Sequence, residues 1–265
     1  MIYLQSGVAD PFSPMVLFQN LFAQGTLTAT STAAGSFVEN LLGPQTFDFW
    51  KPAALPAEFS VTLAAPAACD CIALDAHNLG TAGASVSLYY SVTDTSAWVL
   101  ITTIAPTDDR AAAVIFPSVT GRRFRVVINS ASGTPFIGIA MAGLRLSFPG
   151  EILAPYVPAQ HAVRVEPYPS LSMGGQFQGS RVKWKGAQIS VQFSPLARAW
   201  VDANMRAFQA HYDAVKPFFW ASCPGKYPQD IAYVWRAEGV EELRPAYDAG
   251  GLHGMVMMEL AAYGA

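Results

Sequence analysis

The chain has 265 residues, of which 52% are hydrophobic and only 13% charged, against roughly a quarter charged in an average soluble domain. Its formal net charge is −3 and its longest basic run is the Arg122-Arg123 pair, so the positive stripe that neutralises a phosphate backbone is missing and no nucleic-acid specificity is expected. So little charge leaves much uncharged surface, which either contact with partner chains or an exterior of Ser, Thr, Ala and Gly would explain.

The opening MIYLQSGVADPFSP has no positive segment and no continuous apolar core, so no signal peptide is expected. No apolar run reaches the length of a membrane span. The nearest, 136–146, is interrupted by Gly138, Gly143 and Arg145, and a soluble chain without membrane insertion is predicted. Next comes ENLLGPQTFDFW from Glu39 to Trp50, turn chemistry running into a tryptophan, followed by short apolar segments at even spacing. The strands predicted from these are 59–64, 68–74, 85–92, 98–104, 111–116, 124–129 and 136–146. Val86 and Leu88 alternate with Ser85 and Ser87, and Val126 and Ile128 with Arg125 and Asn129, the period of a strand with one face on a core. Seven or eight strands with short turns and no helical window describe a jelly-roll β-sandwich.

Pro149, Gly150, Pro155 and Pro158 cluster in FPGEILAPYVPAQ and predict a domain boundary, placing one domain at 1–152 and a second at 153–265. In the second, strands are predicted at 163–166 and 182–193, with the Gly- and Ser-rich SLSMGGQFQGS between them as a mobile or partner-ordered loop. Ser194 as N-cap and Pro195 as first helical residue predict a helix with Leu196, Trp200, Met205, Phe208, Tyr212 and Val215 on its apolar stripe, ended by Pro217. Strands at 231–237 and 254–262 complete a smaller α+β domain with one main helix. The fold class predicted for the whole chain is mainly β.

Two resemblances add to this. The order ENLLGPQTFDFWKP, CIALDAHNLGTAGASVSLYYS and GRRFRVVINSASGTPFIGIAMAGLRL, over about residues 20–150, is similar to the galactose-binding-like (discoidin-like) β-sandwich. That resemblance implies ligand-binding loops at one end of the sandwich, which here would include Trp50, Asp75, His77 and Asn78. An aromatic face with a few planar hydrogen-bonding groups suits a sugar. The same residues read equally as structure, Trp50 as a core plug and His77 with Asn78 as a turn before Gly80. The tract from Gly174 to Gly264 resembles the carboxyl-terminal part of phage minor tail proteins at the distal end of the tail tube. This implies a structural virion protein of a long-tailed phage tail tip, assembled in the bacterial cytoplasm, contacting tail tube and tip hub proteins. It would form a homo-oligomeric ring of six copies, with three as the alternative. Trp184, Phe193, Phe218, Phe219 and Trp220 are the interface residues expected for that ring. The alternative function is a carbohydrate-binding module for a host surface glycan.

No catalytic motif stands out and no cofactor is expected. His77, His161, His211 and His253 are dispersed, and Cys69, Cys71 and Cys223 lack ligand spacing, so neither a metal site nor an easy disulfide is predicted. Asp108-Asp109 precede Arg110 in a turn, where acidic residues are ordinary, so a glycosidase carboxylate pair is not supported. Glu238, Glu241 and Glu242 form an acidic cluster read as a solvated turn or short helix facing a neighbour.

Overall fold

A computed structural model describes residues 1–248 and 250–263, apart from the side chain of Trp184. In chain order the strands are β1 (Ile2–Leu4), β2 (Met15–Leu17), β3 (Thr26–Ala29), β4 (Ala57–His77), β5 (Ser85–Ser91), β6 (Val99–Ile104), β7 (Ala112–Ser130), β8 (Ile137–Gly143), β9 (Leu146–Ser147), β10 (Val163–Leu171) and β11 (Phe177–Gln192). β12 (Leu196–Ala197) then leads into the helix α1 (Arg198–Asp213), followed by β13 (Phe218–Ala221), β14 (Ile231–Arg236), β15 (Ala246–Tyr247), β16 (His253–Met255) and β17 (Met257–Tyr263). With 48% strand, 9% helix and several antiparallel sheets, the protein is mainly β, as the alternation predicts. Two compact units emerge, the first comprising Met1–Pro149 with Phe218–Ala232, the second Gly150–Pro217 with Tyr233–Ala265.

The first unit is organised by two long antiparallel partners, β4 and β7. Their amino- and carboxyl-terminal halves respectively, Ala57–Thr62 against Arg123–Ile128, lie in a layer completed by β3 on one side and by β5 and β6 on the other. Their remaining halves, Cys71–Leu74 against Ala112–Ile115, lie in a layer with β8 beside β4 and β1 parallel to β7. The ladder breaks between Thr62 and Ala67 and again between Cys69 and Cys71. Pro66 and Pro117 fall at these breaks, where a missing N–H costs the ladder nothing. The two pairs of strands predicted at 59–64 and 68–74, and at 111–116 and 124–129, are therefore two continuous bent strands, since prolines and Gly121 that read as turns sit at bulges.

Between the layers Phe59 is fully buried, with Phe22 and Trp50 edge-on to it at ring centroids of 5.4 Å each. Val61, Val86, Leu88, Phe124, Val126, Ile128 and Ile137 fill the same core. β13 also belongs to this unit. Phe219–Ala221 pair antiparallel with Met15–Leu17 of β2, whose other edge takes β9.

In the second unit β10, β11 and β17 form an antiparallel run that continues to Val234–Arg236 of β14. The segment expected to be a loop is a hairpin instead: β10 extends to Leu171, and the turn closes through Ser172, whose N–H donates to Gln176 O at 2.8 Å and whose Oγ accepts from Gln176 N at 3.0 Å. The helix buries Val201, Met205, Phe208 and Tyr212. Tyr212 Oη donates to Glu259 O at 3.0 Å and accepts from Glu259 N at 3.1 Å, tying α1 to β17. It starts three residues later than predicted, because Leu196–Ala197 pair with β16 and Ser194 Oγ accepts from Glu151 N instead of capping the helix. Val215, expected on its stripe, lies past its end and is exposed.

Candidate ligand-binding platform

The loop from Ser36 to Lys51 closes one end of the sandwich, and the side chains of Ser36 and Asn40 bond its own backbone. Ser36 Oγ donates to Phe49 O at 2.7 Å and accepts from Lys51 N at 2.8 Å, while Asn40 Nδ2 donates to the same Phe49 carbonyl at 3.1 Å. Trp50 exchanges both backbone hydrogen bonds with Ile137, at 2.9 and 3.0 Å. This short two-strand pairing alternates side chains. Trp50 turns inward, is fully buried, and donates from Nε1 to Thr32 Oγ1 at 3.2 Å. Phe49 turns outward.

There Phe49 meets Phe136, their half-buried rings 4.4 Å apart and tilted at 50°. The Lys51 ammonium lies 5.8 Å from the centre of one ring and 5.6 Å from the other, within cation–π range of both. Phe47 and Asp48 precede them in the loop and are exposed, Phe47 at 73%.

Asn78 supports this arrangement from beneath. Its Nδ2 donates to Thr134 O at 2.9 Å and its Oδ1 accepts from Phe136 N at 2.7 Å, so the amide holds the loop that carries Phe136. His77 is buried; its Nδ1 accepts from Leu79 N at 3.3 Å, and its Nε2 makes no hydrogen bond of standard geometry. Burial lowers its pKa to about 4, so the ring is neutral at pH 7. Asp75 is half-buried at the end of β4, and burial pushes its carboxyl up to about 6. The next turn is anchored by Asp109, which accepts from Thr81 N at 2.9 Å and from Thr81 Oγ1 at 2.5 Å.

Of the four residues the sequence nominates, Trp50 and His77 are therefore inside and Asn78 has both ends of its amide engaged. Asp75 is half-buried. Phe49, Phe136 and Lys51 were missed. Period-2 alternation in FDFW, with Trp50 inward, was the available signal for Phe49. Phe193, Phe218, Phe219 and Trp220, expected at an oligomer interface, are also fully buried within the chain, so their side chains have no area to offer a second copy. Trp184 was expected there too, and its side chain lies outside the described residues.

A second aromatic surface lies on the outer face of β5 and β7. Arg123 and Arg125 place their guanidinium carbons 4.5 and 4.3 Å from the centre of the Trp98 ring, and Arg125 lies 4.4 Å from that of Tyr89. Arg125 also pairs with Glu58 at 2.8 Å, and Arg123 donates to Ser91 Oγ and Ser96 O. These guanidiniums already occupy the tryptophan, and the cluster fastens the Thr93–Ser96 turn to the sheet.

Cys69 and Cys71 are buried free thiols, Cys69 pushed up to about 12 by burial. Among the described residues no three His, Cys, Asp or Glu side chains converge to hold a metal ion, and no helix is long and apolar enough to cross a membrane.

No protein-family model and no curated protein matches the sequence. Solved structures do show similarity. Chitosan-binding module 1 of a chitosanase/glucanase from Paenibacillus sp. IK-5 is 18% identical, over 47% of this chain and 98% of that one, with a TM-score of 0.42. The family 32 carbohydrate-binding module of Clostridium perfringens NanJ, in complex with galactose, is 14% identical over 50% of this chain and 99% of that one, with a TM-score of 0.41. A Ruminococcus gnavus GH29 fucosidase in complex with fucose is 13% identical, with a TM-score of 0.42; the match covers 48% of this chain and 27% of the fucosidase, about a quarter of its length.

Proposed function

We propose that the protein is a non-catalytic binding protein whose amino-terminal sandwich engages carbohydrate through Phe49, Phe136 and Lys51. The observation that carries this reading is the half-buried aromatic pair with one ammonium near both rings, on a loop whose Ser36 and Asn40 side chains bond its own backbone. Aromatic faces stack on the apolar C–H face of a pyranose, and an ammonium brings up to three donors to its hydroxyls. Because the loop is pre-organised, little ordering entropy is lost on binding. A glycan array on the full chain, followed by calorimetry on the best ligand, tests this. Phe49→Ala and Phe136→Ala are each expected to weaken binding by about tenfold or more, as for a central aromatic contact, while Trp98→Ala leaves it unchanged. Wild-type protein that retains no glycan, or a double Phe variant that binds as tightly as wild type, would sink the reading.

A second reading, a structural component of a long-tailed phage tail tip that assembles in the bacterial cytoplasm as a ring of six or three copies, is favoured by the exposed hairpin of β10 and β11. Every residue of β10 is exposed, and a two-stranded ribbon is marginal in water unless something packs on it. Light scattering with negative-stain images tests this, and a chain that stays monomeric counts against it.

A further inference from the structure

The hairpin has two edges and two faces, and they differ in what they can accept. Along β10, Pro167 and Pro169 lie opposite Val182 and Ser180 in the register, and prolines in a sheet sit where the missing N–H would face away from the ladder, here toward the outer edge. Prolines on an edge strand block the addition of another strand there. The other edge is open over part of its length: β17 pairs with β11 from Gly186 to Gln192, and among the described residues Phe177–Val182 pair only with β10. Apolar side chains stand along the ribbon, with Tyr168 at 70% exposure and Phe177 at 68%, and Val165, Leu171 and Val182 exposed as well.

Its charge is one-sided. Arg164, Arg181, Lys183 and Lys185 stand against the single Glu166, which Lys183 meets at 3.1 Å in an exposed pair worth little. Two such ribbons repel each other, which disfavours a symmetric hairpin-to-hairpin contact. The same unit carries the opposite charge on another exposed segment: Glu238, Glu241 and Glu242 fall within five residues just past β14, in irregular backbone, with Arg244 paired to Glu242.

We propose that the open edge and basic face of the β10–β11 hairpin receive the acidic Glu238–Glu242 segment of a second copy of this chain. This rests on the assembly reading above and names its surface. Because the two patches differ, the contact is head-to-tail, and such contacts close into rings or run on as filaments. The apolar residues of the ribbon supply burial, and the charges fix register and exclude the symmetric alternative.

The test measures the mass of the full chain by sedimentation and light scattering across a concentration series, at low and high salt. Wild type is expected to self-associate, and more weakly at high salt. Arg181→Glu with Lys183→Glu, and separately Glu238→Lys with Glu241→Lys, are each expected to weaken association by about tenfold or more. An equimolar mixture of the two doubly substituted proteins is expected to recover more association than either alone, since one reversed hairpin then faces one reversed acidic segment. All four positions are exposed, and circular dichroism checks that each variant is folded. Wild type that remains monomeric at every concentration overturns both this interface and the assembly reading. Association that ignores salt and both pairs of substitutions overturns the interface alone. Glycan binding, read separately on the first unit, is unaffected in either case.

Discussion

Phe49 and Trp50 share one turn of extended backbone, and the hydrogen bonds of Trp50 to Ile137 decide which ring enters the core and which faces solvent. Two residues along β4, the same alternation places Asp75 and His77 where burial resists their charged forms. The two work against each other. His77 titrates near 4 when folded against an ordinary 6.5, so as the pH falls through that window the unfolded chain takes up a proton that the folded chain refuses, and stability is lost. Asp75 titrates near 6 against an ordinary 3.8, so between those values the folded chain keeps a proton the unfolded chain has released, and stability is lost as the pH rises. In the native protein the contributions offset, and the stability profile between pH 4 and 6.5 is expected to be shallow. Asp75→Asn removes one of them. The variant is expected to lose up to about 3 kcal/mol on acidification across that range, the full linkage of the histidine. Urea midpoints recorded against pH for both proteins check this, and parallel profiles would contradict it.

At the scale of elements, the sandwich was legible wherever burial follows strict alternation. Val86, Leu88, Val126 and Ile128 are all in the core, as their spacing from Ser85, Arg125 and Asn129 requires. What local sequence conceals is continuity across a bulge. Ala65-Pro66 and Pro117-Ser118 have turn composition, yet each strand runs on through them because the extra residues bulge out of the ladder, between Thr62 and Ala67 on β4 and between Ile115 and Val119 on β7, while the partner strand continues. The hairpin at Ser172–Gln176 was hidden for a related reason: glycine and serine suit both a long loop and a tight turn. The platform itself was half legible, because sequence marks an aromatic residue and its alternation but cannot bring Phe136 from a distant loop to within 4.4 Å of Phe49. The turn that follows Asn78 lies close against Asp108. Gly80 is the point of closest approach, where an added Cβ would come within 2.5 Å of the Asp108 backbone. Gly80→Ala must push the two loops apart, and a loss of about 1–3 kcal/mol is expected, as for overpacking elsewhere. A chemical denaturation midpoint equal to wild type would show that the loops part freely.

Over the whole molecule, the proline-rich stretch near 149–158 invites a cut that would isolate a self-sufficient sandwich at its amino side. Chain order misleads here. Phe218–Ala232 returns to the first unit, and it does so with main-chain bonds. Phe219, Trp220 and Ala221 pair with Leu17, Val16 and Met15, Gly225 N donates to Pro11 O at 2.7 Å, and Ile2 N donates to Pro228 O at 2.6 Å. Met15, Val16 and Leu17 are wholly buried. No local periodicity announces such a pairing, because it joins residues two hundred positions apart. A fragment ending at Pro149 would leave that edge of β2 unpaired and its apolar side chains partly uncovered, and unpaired apolar edges promote aggregation. Residues 1–149 expressed alone are therefore expected to be less soluble than the full chain and to melt several degrees lower, as a loss of a few kcal/mol implies for a domain of this size. Thermal unfolding of both, followed by circular dichroism at matched concentration, decides the matter. A fragment that unfolds cooperatively at the temperature of the full chain's first unit would mean that the returning segment decorates the sandwich without holding it together.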